Sequence, residues 1–241
     1  MKKLSSNKLI LASRATILCL SLFSVKAGAQ ELAKPFVVSE SAFTVEYTSI
    51  SSTGLWMWWT AVLKNPNPDY TCAHPQVTVT ARNGKGEVVG TYDKSMVAFF
   101  VPGGVIAYGD NLEVLEVPAK IEITPVKCFW TKMPTASSAL PTFQAANVKL
   151  IPTRNRMKVA GEVINPLPES VDSVMGALLF RDQAGKLFSG ELFYIKNLPA
   201  RGTKPFMEDL YFDGARPRNY DKVEFMVFPT SSMNYGSLLR P

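Results

Sequence analysis

The chain says nearly the same thing twice, with a spacing of about 100 residues. Asn65-Pro66-Asn67-Pro68 recurs as Asn165-Pro166-Leu167-Pro168, and the run before it, Trp59 to Lys64, recurs as Val159 to Ile164. Downstream, Gly86 to Gly90 answers Gly185 to Gly190, and Val101-Pro102-Gly103 answers Leu198-Pro199-Ala200. Lys120-Ile121-Glu122-Ile123 then answers Lys222-Val223-Glu224-Phe225. Such a period is too long for a solenoid unit and matches one small domain. The repeat predicts two tandem domains, residues 30–130 and 145–241. The stretch 131–144, rich in Ser, Thr, Ala and Pro, joins them, and a separate leader covers residues 1–29.

The leader reads as a secretory signal peptide. Lys2, Lys3, Lys8 and Arg14 precede an apolar run from Ala15 to Val25, and Ala27-Gly28-Ala29 is a small-x-small cleavage site. The apolar run falls well short of the ~20 residues that span a bilayer. Cys19 lies inside it without the small residues that precede a lipidated cysteine. Removing the leader removes five of the 26 Lys and Arg residues and none of the 20 Asp and Glu, leaving a net charge of about +1. No basic stripe remains for nucleic acid or anionic lipid, so neither nucleic-acid binding nor membrane insertion is expected.

Two cysteines stay in the mature chain, Cys72 and Cys128. An even pair in an oxidising compartment predicts a disulfide. Closing a loop of that size stabilises by about 4 kcal/mol in the chain-entropy picture. The second copy has no counterpart, so the fold itself does not require the bridge.

Each copy is rich in Val, Thr, Phe and Tyr, broken by Gly, Pro, Asn and Asp roughly every ten residues. That rhythm predicts short antiparallel strands and no amphipathic helix. Gln76 to Ala81 alternates polar and apolar, and Asn83-Gly84-Lys85-Gly86 turns it into Val88-Val89. Leu178-Leu179-Phe180 likewise runs through Asp182 to Gly185 into Leu187-Phe188. The fold class expected is all-β, two tandem immunoglobulin-like antiparallel sandwiches. Val159 to Pro166, followed by Leu179-Phe180-Arg181-Asp182-Gln183-Ala184-Gly185-Lys186-Leu187, resembles the bacterial FxLYD-type module. The resemblance is best in the second copy, since Ala81-Arg82-Asn83 departs from the aromatic-x-acid pattern. It implies an extracytoplasmic immunoglobulin-like domain with no catalytic residues to carry over.

Comparing the copies assigns faces. Met57, Trp59, Ala61 and Leu63 align with Met157, Val159, Gly161 and Val163, nonpolar in both, which marks the core side of a strand. The alternate positions Trp56, Trp58, Thr60 and Val62 align with Arg156, Lys158, Ala160 and Glu162. Unpaired charges are too costly to bury, so this side faces water in the second copy and Trp56 and Trp58 point outward in the first. Their rings need a cover. The second domain, the linker or residues 31–42 is one kind; a partner surface, protein or glycan, is the other. A one-residue register slip would invert the assignment.

The case for chemistry is thin. The mature chain has one histidine, His74, so any Ser-His-Asp or Cys-His triad must use it. Cys72, His74 and Cys128 form a weak metal set, without paired ligand spacing. Glu208 and Asp209 alternate along a strand and point to opposite faces. No phosphate-binding glycine loop is present. The Asn-Pro-x-Pro loops read as structural, because both copies carry them. The candidate binding residues are the unshared features: Trp56, Trp58, Trp130 and Tyr70 of the Asp69-Tyr70-Thr71 loop. For Trp130, as for Tyr47 and Phe99-Phe100, packing is the simpler reading. The expectation is a non-enzymatic, cofactor-free binding or scaffold protein, periplasmic or extracellular, whose partner is another envelope or secreted protein. The alternatives are a carbohydrate-binding module using the same tryptophans and a metal carrier at Cys72, His74 and Cys128.

Overall fold

The alternation of β-branched and aromatic residues between Gly, Pro and Asn turns produces strands throughout. The computed structural model describes residues 33–47, 54–133, 142–153, 157–210, 220 and 222–231; the leader and the middle of the linker lie outside them. Thirteen strands follow in chain order: β1 (Val37–Tyr47), β2 (Leu55–Lys64), β3 (Tyr70–Arg82), β4 (Val88–Ser95), β5 (Phe99–Phe100), β6 (Val105–Glu113), β7 (Lys120–Lys132), β8 (Gln144–Pro152), β9 (Met157–Ile164), β10 (Val171–Arg181), β11 (Leu187–Leu198), β12 (Thr203–Leu210) and β13 (Lys222–Pro229). Among the described residues every regular element is a strand, and no helix is long and apolar enough to cross a membrane.

The strands form four antiparallel sheets, and the second half repeats the pairing of the first. β2 lies between β1 and β6, as β9 lies between β8 and β12. β3 has β7 along one edge and β4 and β5 end to end along the other, as β10 has β13 and the single long β11. Met57, Trp59, Ala61 and Leu63 of β2 are buried against Val77, Val79 and Ala81 of β3, which makes the first sandwich. Val159 and Val163 of β9 bury against Val174, Leu178 and Phe180 of β10 and make the second.

Matching polar anchors hold both halves. Asn65, fully buried, donates from Nδ2 to the carbonyls of Tyr70 (2.7 Å) and Val101 (3.0 Å) and accepts the Asn67 N–H at 2.9 Å. Asn165 donates to the carbonyls of Glu169 and Pro199, both 2.9 Å, and accepts the Leu167 N–H at 3.0 Å. The side chain thus replaces backbone partners that the prolines cannot supply. These bonds correct the repeat by one residue. Val101 and Gly104 correspond to Pro199 and Gly202, one position later than a match of Val101 with Leu198 would set them. The left-handed residues agree, since Gly103 (φ 65°) corresponds to Arg201 (φ 46°). At the opposite end, Arg82 bonds Glu122 (3.0 Å) and the Gly86 carbonyl (3.0 Å), while Arg181 bonds Glu224 (3.1 Å) and the Gly185 carbonyl (3.0 Å). Gly86 and Gly185, at φ 86° and 79°, make these hairpins possible.

The two sandwiches share a seam. The outer face of the β1–β2–β6 sheet packs on the outer face of the β11–β10–β13 sheet, so Met175, Ala177, Leu179, Leu187 and Phe228 join the first half's core. Thr60 Oγ1 lies 3.5 Å from the Gly190 carbonyl. A Cβ on Gly190 would stand 2.6 Å from Thr60 Cγ2, so only glycine allows this approach. Arg181 adds a fork onto Glu40 of β1, at 2.5 and 3.1 Å. Burying one side chain of this size stabilises by about 1.5–3 kcal/mol. Met175, Leu179, Leu187 and Phe228 together therefore rival the ~5–15 kcal/mol net stability of an ordinary domain.

Substitutions at the anchors and at the seam test these links by denaturant unfolding. Asn65→Ala and Asn165→Ala should each cost about 2–4 kcal/mol, because two carbonyls lose their donor; losses under ~1 kcal/mol would remove the anchoring role. Gly190→Ala should cost about 1–3 kcal/mol through the clash at the seam, and adding Thr60→Ser, which deletes Cγ2, should recover part of it.

Candidate functional site

The outer face of β2 carries Trp56, Trp58, Thr60 and Val62, and only half of it is covered. Thr60 and Val62 are buried at the seam, whereas Trp58 remains 37% exposed and Trp56 half-buried. β11 accounts for this division. It meets the β1–β2–β6 sheet at Thr60 and brings Tyr194 toward Tyr108, leaving the Trp56 end of β2 beyond it. Trp58 stands between Thr44 and Asn111 in the ladder, and Trp56 between Glu46 and Glu113.

The same end of the first half shows further apolar surface. Tyr47, opposite Leu55 at the β1 terminus, is 76% exposed, and Leu115 is 70% exposed. The segment after β6 is fixed there by the Val114 N–H to the Leu55 carbonyl (3.2 Å) and the Leu115 N–H to the Val89 carbonyl (2.8 Å). Glu116 accepts from Asn83 Nδ2 at 3.1 Å. Exposed rings and aliphatic side chains at this end can bury an apolar group.

The other two candidate rings lie elsewhere. Tyr70 is buried at the start of β3, with Lys132 Nζ 5.7 Å from its ring centroid. Trp130 of β7 is paired with Cys72 and packs, half-buried, on the core. Both belong to the β3–β7 ladder, so the structure does not bring them together with Trp56 and Trp58.

Cys72 and Cys128 form a disulfide with Cα atoms 5.8 Å apart. It joins neighbouring strands of one sheet and spans the ladder's break between Ala73 and Gln76. His74 and Pro75 cause that break: His74 takes φ 51° and turns its N–H to the Ala98 carbonyl at 3.2 Å. The His74 ring is exposed and meets Phe129 edge-on at 6.2 Å. Among the described residues no three His, Cys, Asp or Glu side chains converge as a metal set.

One charged cluster has no counterpart among the sequence expectations. Lys94 of β4 pairs with Asp110 of β6 across the first sandwich's open edge, beside Tyr92 and Tyr108. Burial acts to lower the Lys94 amine, but the bond to Asp110 and nearby Tyr108 outweigh it and hold the amine above its ordinary value. Burial raises the Tyr108 phenol, with Lys94 opposing. The sequence signal is an inward-pointing charge on each of two strands that contact each other. No protein-family model matches the chain, and no curated protein shows significant similarity to it.

A folded value above the unfolded one means stability that is whole below the unfolded value and lost as pH rises through the folded one. The unfolding free energy should therefore fall as pH climbs above about 10. Tyr108→Phe should flatten that decline; an identical slope in the variant would show that the cluster does not govern it.

Proposed function

We propose that the chain is an exported, non-catalytic binding or scaffold protein of the bacterial envelope, built from two FxLYD-like immunoglobulin-type domains. Its docking surface is the Trp58 end of the first domain, and its partner is another envelope or secreted protein. The observation that supports this most is the half-covered face of β2: the seam buries Thr60 and Val62, yet Trp58 on the same face stays exposed beyond it. Tryptophan and tyrosine are the side chains that most often anchor protein interfaces. The disulfide agrees with export, since such bonds persist in oxidising compartments. Tyr70 and Trp130 take a supporting part, fixing the β3–β7 ladder from within.

A glycan is the second reading, favoured by an exposed indole on which a sugar ring could stack. The metal-carrier reading is set aside, because the disulfide occupies both sulfurs.

The test replaces Trp56 and Trp58 with the residues of the second half, as Trp56→Arg with Trp58→Lys. The melting midpoint should fall by no more than about 4 °C, since Trp58 is exposed and Trp56 half-buried. Co-purification of the cross-linked partner should be lost at least tenfold. Lost stability with the partner retained would sink the proposal, and tryptophan fluorescence that responds to cell-wall glycan would favour the second reading.

A further inference from the structure

At the seam, on the far side from Trp58, lies a cavity of about 160 Å³ bounded by both halves. Phe99 and Ile106 of the first half, Phe143 ahead of β8 and Phe228 of β13 form its walls, and all four are buried. Exposed Val105 and Thr142 stand at its mouth. Among the described residues no ionisable side chain lines it, and the Thr142 hydroxyl is the one polar side-chain group in the lining. At Gly104 the main chain is engaged: its carbonyl accepts from Asn65 N–H at 2.9 Å, and its N–H donates to the Val101 carbonyl at 3.0 Å.

The lining is mainly apolar, and an apolar cavity near 150 Å³ admits benzene or xenon. Leaving such a space empty destabilises a core. The walls are fixed by packing on opposite sides of the seam, so the pocket is preformed and exists only when both halves are docked.

We propose that this pocket is a binding site for a free, uncharged apolar ligand the size of one ring, of the benzene, toluene or phenol class. One small polar substituent is accommodated at the mouth, where Thr142 supplies a hydroxyl. The site is independent of the docking surface. Val105 pairs with Lys64, six residues along β2 from Trp58, a separation of roughly 20 Å at ~3.3 Å per residue.

The experiment is a thermal melt of the full chain with and without toluene, alongside xenon-pressurised crystals. Toluene at about ten times its Kd should raise the melting midpoint by roughly 3–6 °C, and xenon should appear between Phe143 and Phe228. Val105→Trp, a change at an exposed mouth position, should abolish the shift while leaving the ligand-free melt unchanged; Thr142→Trp closes the mouth from the other side should the first variant unfold. N-acetyl-phenylalanine amide separates a free ring from a peptide-borne one. No toluene shift in the parent, an equal shift in both mouth variants, or binding of the amide alone would each overturn the proposal.

Discussion

Everything in this molecule is arranged around one apolar contact, sheet face on sheet face, between β2 and the β10–β11 pair. A sandwich in isolation buries one face of each sheet and wets the other. Here the central strands are buried on both faces, Trp59 to Leu63 in β2 and Val174 to Phe180 in β10. Gly190 lets the backbones approach at Thr60, and the Arg181 fork onto Glu40 fixes the register at the edge. The side chain of Arg181 is 12% exposed, against 31% for its counterpart Arg82, which meets only its own sheet and hairpin. The same residue in the same hairpin has thus acquired a second carboxylate where the halves meet.

The repeat has kept its polar anchors and exchanged its outer faces. Asn65 and Asn165 make matching bonds, as do Arg82 and Arg181, because both halves must turn the chain at the same points. The faces diverge in opposite directions. β3 presents Gln76, Thr78 and Thr80 to solvent where β10 presents Met175, Ala177 and Leu179 to the seam. β2 presents Trp58, Thr60 and Val62 where β9 presents Lys158, Ala160 and Glu162. Each half has one sticky outer sheet, and the two are used on each other. What β11 does not reach on β2 is the aromatic end that the proposed partner would meet.

The strands, the hairpins, the disulfide pair and the inward face of β2 are all legible in the sequence, because each follows from local chemistry: alternation, turn residues, cysteine parity. The cover over Thr60 and Val62 is harder to see from β2 itself, and its signal lies more than 100 residues away. Val174-Met175-Gly176-Ala177-Leu178-Leu179-Phe180 is apolar without alternation, the mark of a strand buried on both sides. Setting β10 against β3, in the way β9 is set against β2, brings out the second half of the complement. Tyr70 illustrates the reverse limit. A ring in a turn-rich segment looks available, and only the ladder to β7 and the amine of Lys132 place it inside. The Lys94–Asp110 pair is hidden in the sequence because two distant edge strands must be superposed to see it.

The seam also sets an order of events during synthesis. A ribosome completes β2 more than 120 residues before it completes β11, which at ~5–20 residues per second leaves the nascent sheet bare for on the order of ten seconds. Throughout that interval the first half can close its own sandwich yet still displays an adhesive sheet to whatever is nearby. A chain of this design is born with its vulnerability at the front and its remedy at the back, so its safe passage depends on holding the early half apart from its neighbours until the late half arrives.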